Sequence, residues 1–210
     1  METLDRYLAR LASAEPTPGG GSAATLVASS GAALAAMVAR ICSANPKYDA
    51  HRESAERIAA AADAIIAQLA LARERDEQAF ALVLQAQALP RETAEQKAIR
   101  ARALDAALLR AADEPLKAAA LALDVLHLAK QLLDIPNRSL ISDVGCAAEF
   151  AYAAVMACGY NVRVNHRFTR DETGIAKQAK RIVHLEQEGA QVLAGVRHAV
   201  AEGLKKQQLV

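Results

Sequence analysis

The sequence predicts an all-α protein, an up-and-down bundle of about six helices, and two observations carry this prediction. Apolar residues recur at spacings of three and four along nearly the whole chain, and no window alternates for long enough to form a strand. Hydrophobic residues make up 53% of the 210 residues while aromatic residues make up only 3%, so the core must consist of small aliphatic side chains. Such side chains favour closely packed helices over a sandwich or a barrel.

Proline and glycine delimit the first three helices. Helix one, residues 3–14, is stopped by a Pro-Thr-Pro sequence, because proline lacks the N–H that a helix interior requires. Helix two runs from a triple glycine to about Cys42, before Pro46. Helix three begins near Asp49 and ends before Pro90.

The second half of the chain predicts three more helices. Helix four spans residues 93–133, and we expect Pro115 to kink it or divide it in two. Helix five, residues 139–159, is apolar nearly all round, so it should lie in the protein centre or in a subunit interface. Residues 161–165 form a short extended segment. Helix six, residues 170–205, mixes charged and aliphatic residues as a solvated outer helix does.

Charge and composition narrow the class of partner and the location. With 25 basic and 24 acidic residues, the net charge of +1 gives no field that would recruit nucleic acid or an anionic membrane. Cys42, Cys146 and Cys158 lack CxxC spacing, which indicates free thiols in a reducing compartment. The N-terminus carries charges throughout, and the apolar run 23–39 is short and rich in Ala. We therefore expect a soluble cytoplasmic protein with one domain over residues 1–210.

The sequence PTPGGGSAA, residues 16–24, places three consecutive glycines at the start of helix two. The first turn of a helix carries unpaired N–H groups and a partial positive charge, and glycine lets a ligand or another backbone approach closely. One interpretation is a capped turn that leads into a closely packed helix. The other is a ligand-binding turn that would use Gly19, Gly20, Gly21 and Ser22.

Asp143 lies at the start of the most apolar helix of the chain. An ionised carboxylate is costly there unless it is hydrogen-bonded, paired or partly protonated. It can stabilise the N-terminus of the helix, or it can serve as a general acid or base. The residues alone leave both interpretations open.

Four other polar residues are candidates for a binding or catalytic site. Asp76 lies in the charged stretch RERDEQAF, where most aspartates are solvated, and Lys47 follows a helix stop and is either an exposed loop residue or a ligand for an anion. In an extended segment Asn161 and Asn165 would point to one side, where two amides can bind the donors and acceptors of a heterocycle. The five histidines form no metal-binding pattern, so we predict no metal site.

Several segments together resemble the cyclodeaminase/cyclohydrolase family, which includes bacterial methenyltetrahydrofolate cyclohydrolase and the C-terminal domain of formimidoyltransferase-cyclodeaminase. The resemblance covers about residues 4–171 and is specific because its motifs occur in the same order. These motifs are PTPGGGSAA (16–24), KY (47–48), DEQAF (76–80), LPRETAEQK (89–97), EPL (114–116), NRSLISDVGCAA (137–148) and NVRVN (161–165).

The resemblance implies a dimeric all-helical fold with a tetrahydrofolate derivative as substrate, no separate cofactor, and a cleft near the glycine turn. Both reactions of the family pass through a tetrahedral carbon bonded to nitrogen, so both need a proton shuttle and a group that balances the amidinium charge. Residue chemistry assigns these roles to Asp143 and Asp76. Lys47 would bind the glutamate tail or polarise oxygen, while Asn161 and Asn165 would orient the pterin.

The resemblance favours the cyclohydrolase reaction, which needs no fused transferase domain. The cyclodeaminase reaction is the first alternative. A third interpretation is a non-catalytic folate-binding or assembly protein, because this chain has ANPKY at residues 44–48 where the family commonly has the lysine-rich GKKKY. The all-round apolar character of helices two and five predicts a homodimer that buries them.

Overall fold

A computed structural model describes residues 2–205 and confirms the all-α class; within that range no residue lies in a strand. Two short 3₁₀ segments, Pro46–His51 and Arg138–Leu140, precede the third and fifth helices. The six helices are α1 (Leu4–Leu11), α2 (Gly20–Ser43), α3 (Arg52–Gln87), α4 (Ala94–Leu132), α5 (Ile141–His166) and α6 (Glu172–Gly203).

Two helices are more continuous than the sequence predicted. Pro115 does not divide α4, because this residue is fully buried inside one continuous helix. The prediction of an extended segment at residues 161–165 is wrong, since α5 continues to His166. Its last turns are held by Val162, which is 0% exposed, and by the amide of Asn161, which donates to the Ala157 carbonyl at 2.9 Å.

Neighbouring helices run antiparallel around α2. Near the start of α2, Gly20 lies against Asn161 at the end of α5, whereas Gly31 lies against Ala147 near the start of α5. α2 and α3 are also antiparallel, so the N-terminus of α2 lies beside Asp76, in the second half of α3. The cavity described below opens at this end of the bundle.

The core consists of small aliphatic side chains, so the helix axes approach closely. A Cβ at Gly31 would lie 2.9 Å from the Ala147 carbonyl oxygen, which makes this the tightest crossing of α2 and α5. By length and composition alone, α2 and residues 138–166 would suffice to cross a membrane, a test that buried core helices also pass. In the described chain α2 packs on α3, α4 and α5.

The α3–α4 hairpin projects past the N-terminus of α2. With 36 residues α3 is about 54 Å long, while the 24 residues of α2 span about 36 Å. The projecting part has a small hydrophobic cluster of its own, formed by Ala79, Val83, Ala86, Ala107, Leu108 and Ala111. One wall of the cavity therefore comes from α3 and α4.

On the outside of the bundle, α6 packs on α4 and α5. Its Arg197 forms two hydrogen bonds with the carboxylate of Glu149 on α5, at 2.6 and 2.8 Å. Its Glu188 accepts a hydrogen bond from His127 on α4 at 3.0 Å. These partly exposed contacts fix the register of an outer helix whose inner face carries Ile182, Leu193 and Val196.

Candidate functional site

A cavity of about 160 Å³ lies where the N-terminus of α2, the middle of α3 and the C-terminal turns of α5 meet. It brings together the glycine turn, one of the two aspartates singled out in the sequence, and both asparagines. Its lining comprises Pro16, Thr17, Gly19, Gly20, Gly21, Asp76, Phe80, Ala111, Asn161, Val164 and Asn165. We refer to it as the glycine cavity.

The three glycines differ in how much space a Cβ would have. A Cβ at Gly21 would lie 2.5 and 2.6 Å from the two carboxylate oxygens of Asp76, so only glycine fits while that side chain keeps its place. A Cβ at Gly20 would lie 3.2 Å from the amide nitrogen of Asn161. At Gly19 the nearest atom, the Pro16 carbonyl oxygen, is 4.0 Å away, and the backbone φ of −119° suits any residue.

Asp76 is the acidic side chain of the glycine cavity, and its environment disfavours the charged form. Burial raises the pKa of this carboxyl from 3.8 to about 6, with smaller contributions from the negative charges of Glu77 and Glu114. The backbone N–H of Ser22, in the first turn of α2, donates to the carboxylate and opposes the rise in pKa. A carboxyl group with a pKa near 6 can exchange a proton close to neutral pH, as a general acid or base must.

Ser22 supports this site from behind and does not line it. Its side chain is 0% exposed, and its hydroxyl lies 3.0 Å from the Tyr7 hydroxyl and 3.4 Å from the nearer carboxylate oxygen of Glu77. Arg10 pairs with the other oxygen of Glu77 at 3.1 Å. Burial of Tyr7 raises the pKa of its phenol, so the hydroxyl stays protonated and available as a donor. The Ser22 side chain therefore positions the turn, and the assignment of Ser22 as a substrate-binding residue of the glycine turn stays a prediction.

Asn161 and Asn165 share one face, although the reason is helical spacing and not an extended backbone. Each amide nitrogen donates to a carbonyl one turn earlier, Asn161 to Ala157 at 2.9 Å and Asn165 to Asn161 at 2.8 Å. The two amide oxygens take no part in these hydrogen bonds. The asparagines therefore offer acceptors to a ligand that carries N–H groups.

Asp143 and Lys47 lie at the opposite end of the bundle from the glycine cavity. Asp143 is in the first turn of α5, half-buried, and eighteen residues or about 27 Å of helix separate it from Asn161. Asp143 therefore does not line the glycine cavity of its own chain, and its catalytic role stays a prediction. Lys47 follows the C-terminus of α2, is exposed, and lies with its ammonium 5.6 Å from the centre of the Tyr48 ring.

Sequence reasoning missed some residues of this region. Phe80 and Ala111 line the glycine cavity from α3 and α4, and the buried Tyr7 joins α1 to the network behind it. Tyr7 had a signal, since it is the one aromatic residue of a short amphipathic helix. Ala111 had none among so many alanines. Within residues 2–205 no three His, Cys, Asp or Glu side chains form a group that could hold a metal ion.

Comparisons with known proteins agree on one family. A family model described as formiminotransferase-cyclodeaminase matches residues 3–184. The chain is 33% identical to a methenyltetrahydrofolate cyclohydrolase of Methylorubrum extorquens over 86% of this chain and 87% of that protein. It is 32% identical to the formimidoyltransferase-cyclodeaminase of Mus musculus over 89% of this chain but only 34% of that longer protein.

A solved structure supports the same grouping. The crystal structure of a formiminotetrahydrofolate cyclodeaminase from Thermotoga maritima superposes with a TM-score of 0.80 and 26% sequence identity, covering 97% of this chain and 96% of that one. The likeness thus extends over the whole bundle.

Proposed function

Because the chain belongs to the formiminotransferase-cyclodeaminase family, we propose that it is a folate one-carbon enzyme that hydrolyses 5,10-methenyltetrahydrofolate to 10-formyltetrahydrofolate. The observation that carries the proposal is Asp76, a half-buried carboxyl group with a pKa of about 6, held against the glycine turn inside a polar cavity. The similarity to a cyclohydrolase over nearly the full length of both chains favours this reaction within the family.

In this reaction Asp76 moves one proton twice. The ionised carboxylate accepts a proton from the attacking water as its oxygen bonds to the amidinium carbon. The protonated carboxyl then gives this proton to N5 while the bond between N5 and that carbon breaks. The hydroxyl on the carbon becomes the formyl oxygen and releases its proton to solvent, so one proton is produced per turnover.

The remaining groups of the glycine cavity bind and orient the substrate. Before water adds, the carboxylate of Asp76 faces the positive amidinium and lowers the energy of that charge. The amide oxygens of Asn161 and Asn165 suit the amino and ring N–H groups of a pterin, since both amide nitrogens are already bonded to backbone carbonyls. Gly20 and Gly21 leave room for a flat ring to approach the first turn of α2.

The alternative is the cyclodeaminase reaction, and the likeness to the T. maritima enzyme favours it. There the N10 nitrogen of 5-formimidoyltetrahydrofolate attacks the formimidoyl carbon, and ammonia leaves from the tetrahedral adduct. The same carboxyl group would donate the proton that ammonia carries away. The glycine cavity therefore suits both reactions, and an assay must separate them.

Near-ultraviolet absorbance separates three outcomes with purified protein. Loss of methenyltetrahydrofolate absorbance faster than in a protein-free control supports the cyclohydrolase. Gain of that absorbance from the formimidoyl compound supports the cyclodeaminase. Folate binding without either change would contradict both enzymes and identify a binding protein.

A homodimer is also part of the proposal. On α2 the residues Val27, Ser30, Leu34, Met37 and Ile41 follow a three-and-four spacing, and Ile41 is 44% exposed although it is apolar. Such a stripe is typical of a helix that packs on a second copy. Two-fold symmetry would let the stripe pair with itself.

A dimer paired about Leu34, the middle residue of this stripe, would bring part of the partner subunit close to the glycine cavity. α2 ends at Ser43, nine residues after Leu34, so an antiparallel pairing about Leu34 would bring the end of the partner subunit's α2 and the 3₁₀ segment after it towards the glycine turn. Lys47 of the partner subunit would then stand beside the glycine turn. In such a dimer the glycine cavity would receive Lys47 of the partner subunit, since Lys47 of the same chain lies at the opposite end of the bundle.

A further inference from the structure

Two polar side chains join α1 to the back of the glycine cavity. The Tyr7 hydroxyl lies 3.0 Å from the hydroxyl of Ser22, whose backbone N–H donates to the Asp76 carboxylate. Arg10, one turn further along α1, donates to the carboxylate of Glu77 on α3 at 3.1 Å. Through these contacts α1 reaches two direct neighbours of Asp76 without lining the cavity itself.

The attachment of α1 to the bundle depends on few side chains. This helix has only eight residues, and an isolated helix of that length is unstable in water. Leu4 and Leu8 are 57% and 47% exposed, whereas Tyr7 is the one buried residue of α1. The link that follows α1 contributes Pro16 and Thr17 to the wall of the glycine cavity. The position of α1 therefore bears directly on the site.

Glu77 is the negative charge that Arg10 neutralises. One oxygen of this carboxylate accepts from Arg10 at 3.1 Å, and the other lies 3.4 Å from the Ser22 hydroxyl. The side chain is 26% exposed, so water screens the ion pair only in part. Burial raises the pKa of Asp76 most, and the negative charge of Glu77 raises it further. A positive charge paired with Glu77 opposes this second effect.

Other ionisable groups near Asp76 come from α1, α3, α4 and α5. Burial raises the pKa of the Tyr7 phenol, and it raises the pKa of the Cys158 thiol to about 12, so both groups stay neutral. Arg73 lies 5.2 Å from the centre of the Tyr7 ring. Glu114 on α4 has a lysine partner on its own helix at 3.0 Å. The ion pair made by α1 is therefore the charged contact beside Asp76 that depends on the docking of one short helix.

We propose that Arg10 is a positioning residue for the proposed reaction, because it neutralises Glu77 and so fixes the charge beside the reacting carboxyl group of Asp76. The proposal rests on the proposed function for the catalytic role of Asp76. Arg10 does not line the glycine cavity and acts through Glu77. When Arg10 is absent, the unpaired carboxylate of Glu77 favours the protonated form of Asp76 and holds its proton to higher pH.

Carbon-13 NMR of labelled aspartate carboxyl groups measures the titration of Asp76 without turnover, and the signal missing from Asp76→Asn identifies it. Arg10→Met removes the positive charge, so Asp76 should titrate about half a pH unit higher than in the wild-type protein. Glu77→Gln should move the titration to lower pH. Adding Arg10→Met to Glu77→Gln should change the titration little further, because the charge through which Arg10 acts is gone.

The pH dependence of kcat/KM should follow the same change. In Arg10→Met the value near pH 6 should be about twofold lower than in the wild-type protein, and it should recover above about pH 8, where Asp76 is ionised in both proteins. Arg10→Lys keeps the positive charge and should retain the wild-type profile. A general loss of packing in Arg10→Met would instead lower kcat/KM at every pH.

Arg6 supplies a matched control, since it lies one turn earlier on the same helix. Its side chain is 79% exposed and its one ion-pair contact within the described chain is Glu2 at 4.0 Å, so Arg6→Met should leave the titration of Asp76 unchanged. An unchanged titration in Arg10→Met would overturn the proposal, as would a shift to lower pH or a shift of equal size in the Glu77→Gln background. Because the titration needs no turnover, an inactive wild-type protein would contradict the proposed function and leave this result decisive.

Discussion

At the scale of single residues, the glycine turn requires glycine because neighbouring atoms leave no room for a side chain, and not because of its backbone conformation. No glycine in the described chain has a positive φ, so freedom of φ does not explain the three consecutive glycines. Gly21 is required because the Asp76 carboxylate occupies the place where a Cβ would stand. The turn and the carboxylate therefore form one unit.

Replacing Asp76 with Asn tests the catalytic assignment. Asp76→Asn keeps the shape of the side chain but removes the ionisable group, so kcat should fall by about a hundredfold or more. In the wild-type protein kcat/KM should rise with pH through about 6, the pKa of Asp76, as the carboxylate becomes available. Steady-state rates over a pH series would check both, and an Asn variant with wild-type turnover would rule out the role.

The same residue makes stability depend on pH. The pKa of Asp76 is about 6 in the folded chain against 3.8 as a free group, so the folded chain binds the proton more tightly. This contribution to stability, of roughly 3 kcal/mol, is fully present below about pH 4 and is lost as the pH rises through 6. Urea unfolding should show Asp76→Asn gaining stability relative to wild type across that window, whereas a constant difference would contradict the burial of the charge.

Gly21 and Gly19 form a matched pair for the role of space. In Gly21→Ala the new Cβ displaces the Asp76 carboxylate, and a shift of about 1 Å at a reacting group can lower the rate about a hundredfold. Gly19→Ala meets no atom closer than 4.0 Å and should change kcat/KM little. Comparable losses in the two variants would show that the turn needs glycine for another reason.

At the scale of elements, the crossing of α2 and α5 depends on Gly31. Gly31→Ala puts a Cβ 2.9 Å from the Ala147 carbonyl oxygen, and the backbone of a packed helix cannot move away cheaply. We expect a loss of about 1–3 kcal/mol, seen as a lower melting temperature. Gly195→Ala in α6, where a Cβ meets nothing within 4 Å, should instead be neutral or stabilising.

The extension of α5 shows how an element can alter a site prediction. The sequence 161–165, Asn-Val-Arg-Val-Asn, alternates polar residues and Val, which suggested a strand-like segment. In the bundle Val162 is fully buried, and the helix continues because each asparagine bonds the carbonyl of the previous turn. The asparagines still share a face because residues four apart do so on a helix.

At the scale of the whole molecule, the proposed dimer predicts one sensitive surface. Met37→Glu places a charge in the middle of the apolar stripe on α2, so light scattering should report a monomer at micromolar concentration. Leu71→Glu changes another exposed apolar residue, on α3 and outside the stripe, and should leave the dimer intact. A wild-type protein that is already a monomer would remove the dimer from the proposal.

The sequence by itself determined the helices and the family. Local spacing of apolar residues and the positions of Pro and Gly delimit six helices, because helix formation depends on neighbours within one turn. The ordered motifs identified the glycine turn, Asp76 and the asparagines as candidates. None of these signals requires knowledge of which helices touch.

Only the tertiary structure decided which candidates meet. In sequence Asp76 and Asp143 were candidates for the same roles, but antiparallel packing on α2 carries Asp76 to the glycine turn and Asp143 to the other end of the bundle. Burial raises the pKa of Asp76, and this burial arises where α3 meets α2, α4 and α5, whose residues lie far away in the chain. The burial and the pKa of Asp76 depend on contacts between helices, so they cannot be read from the sequence of one helix.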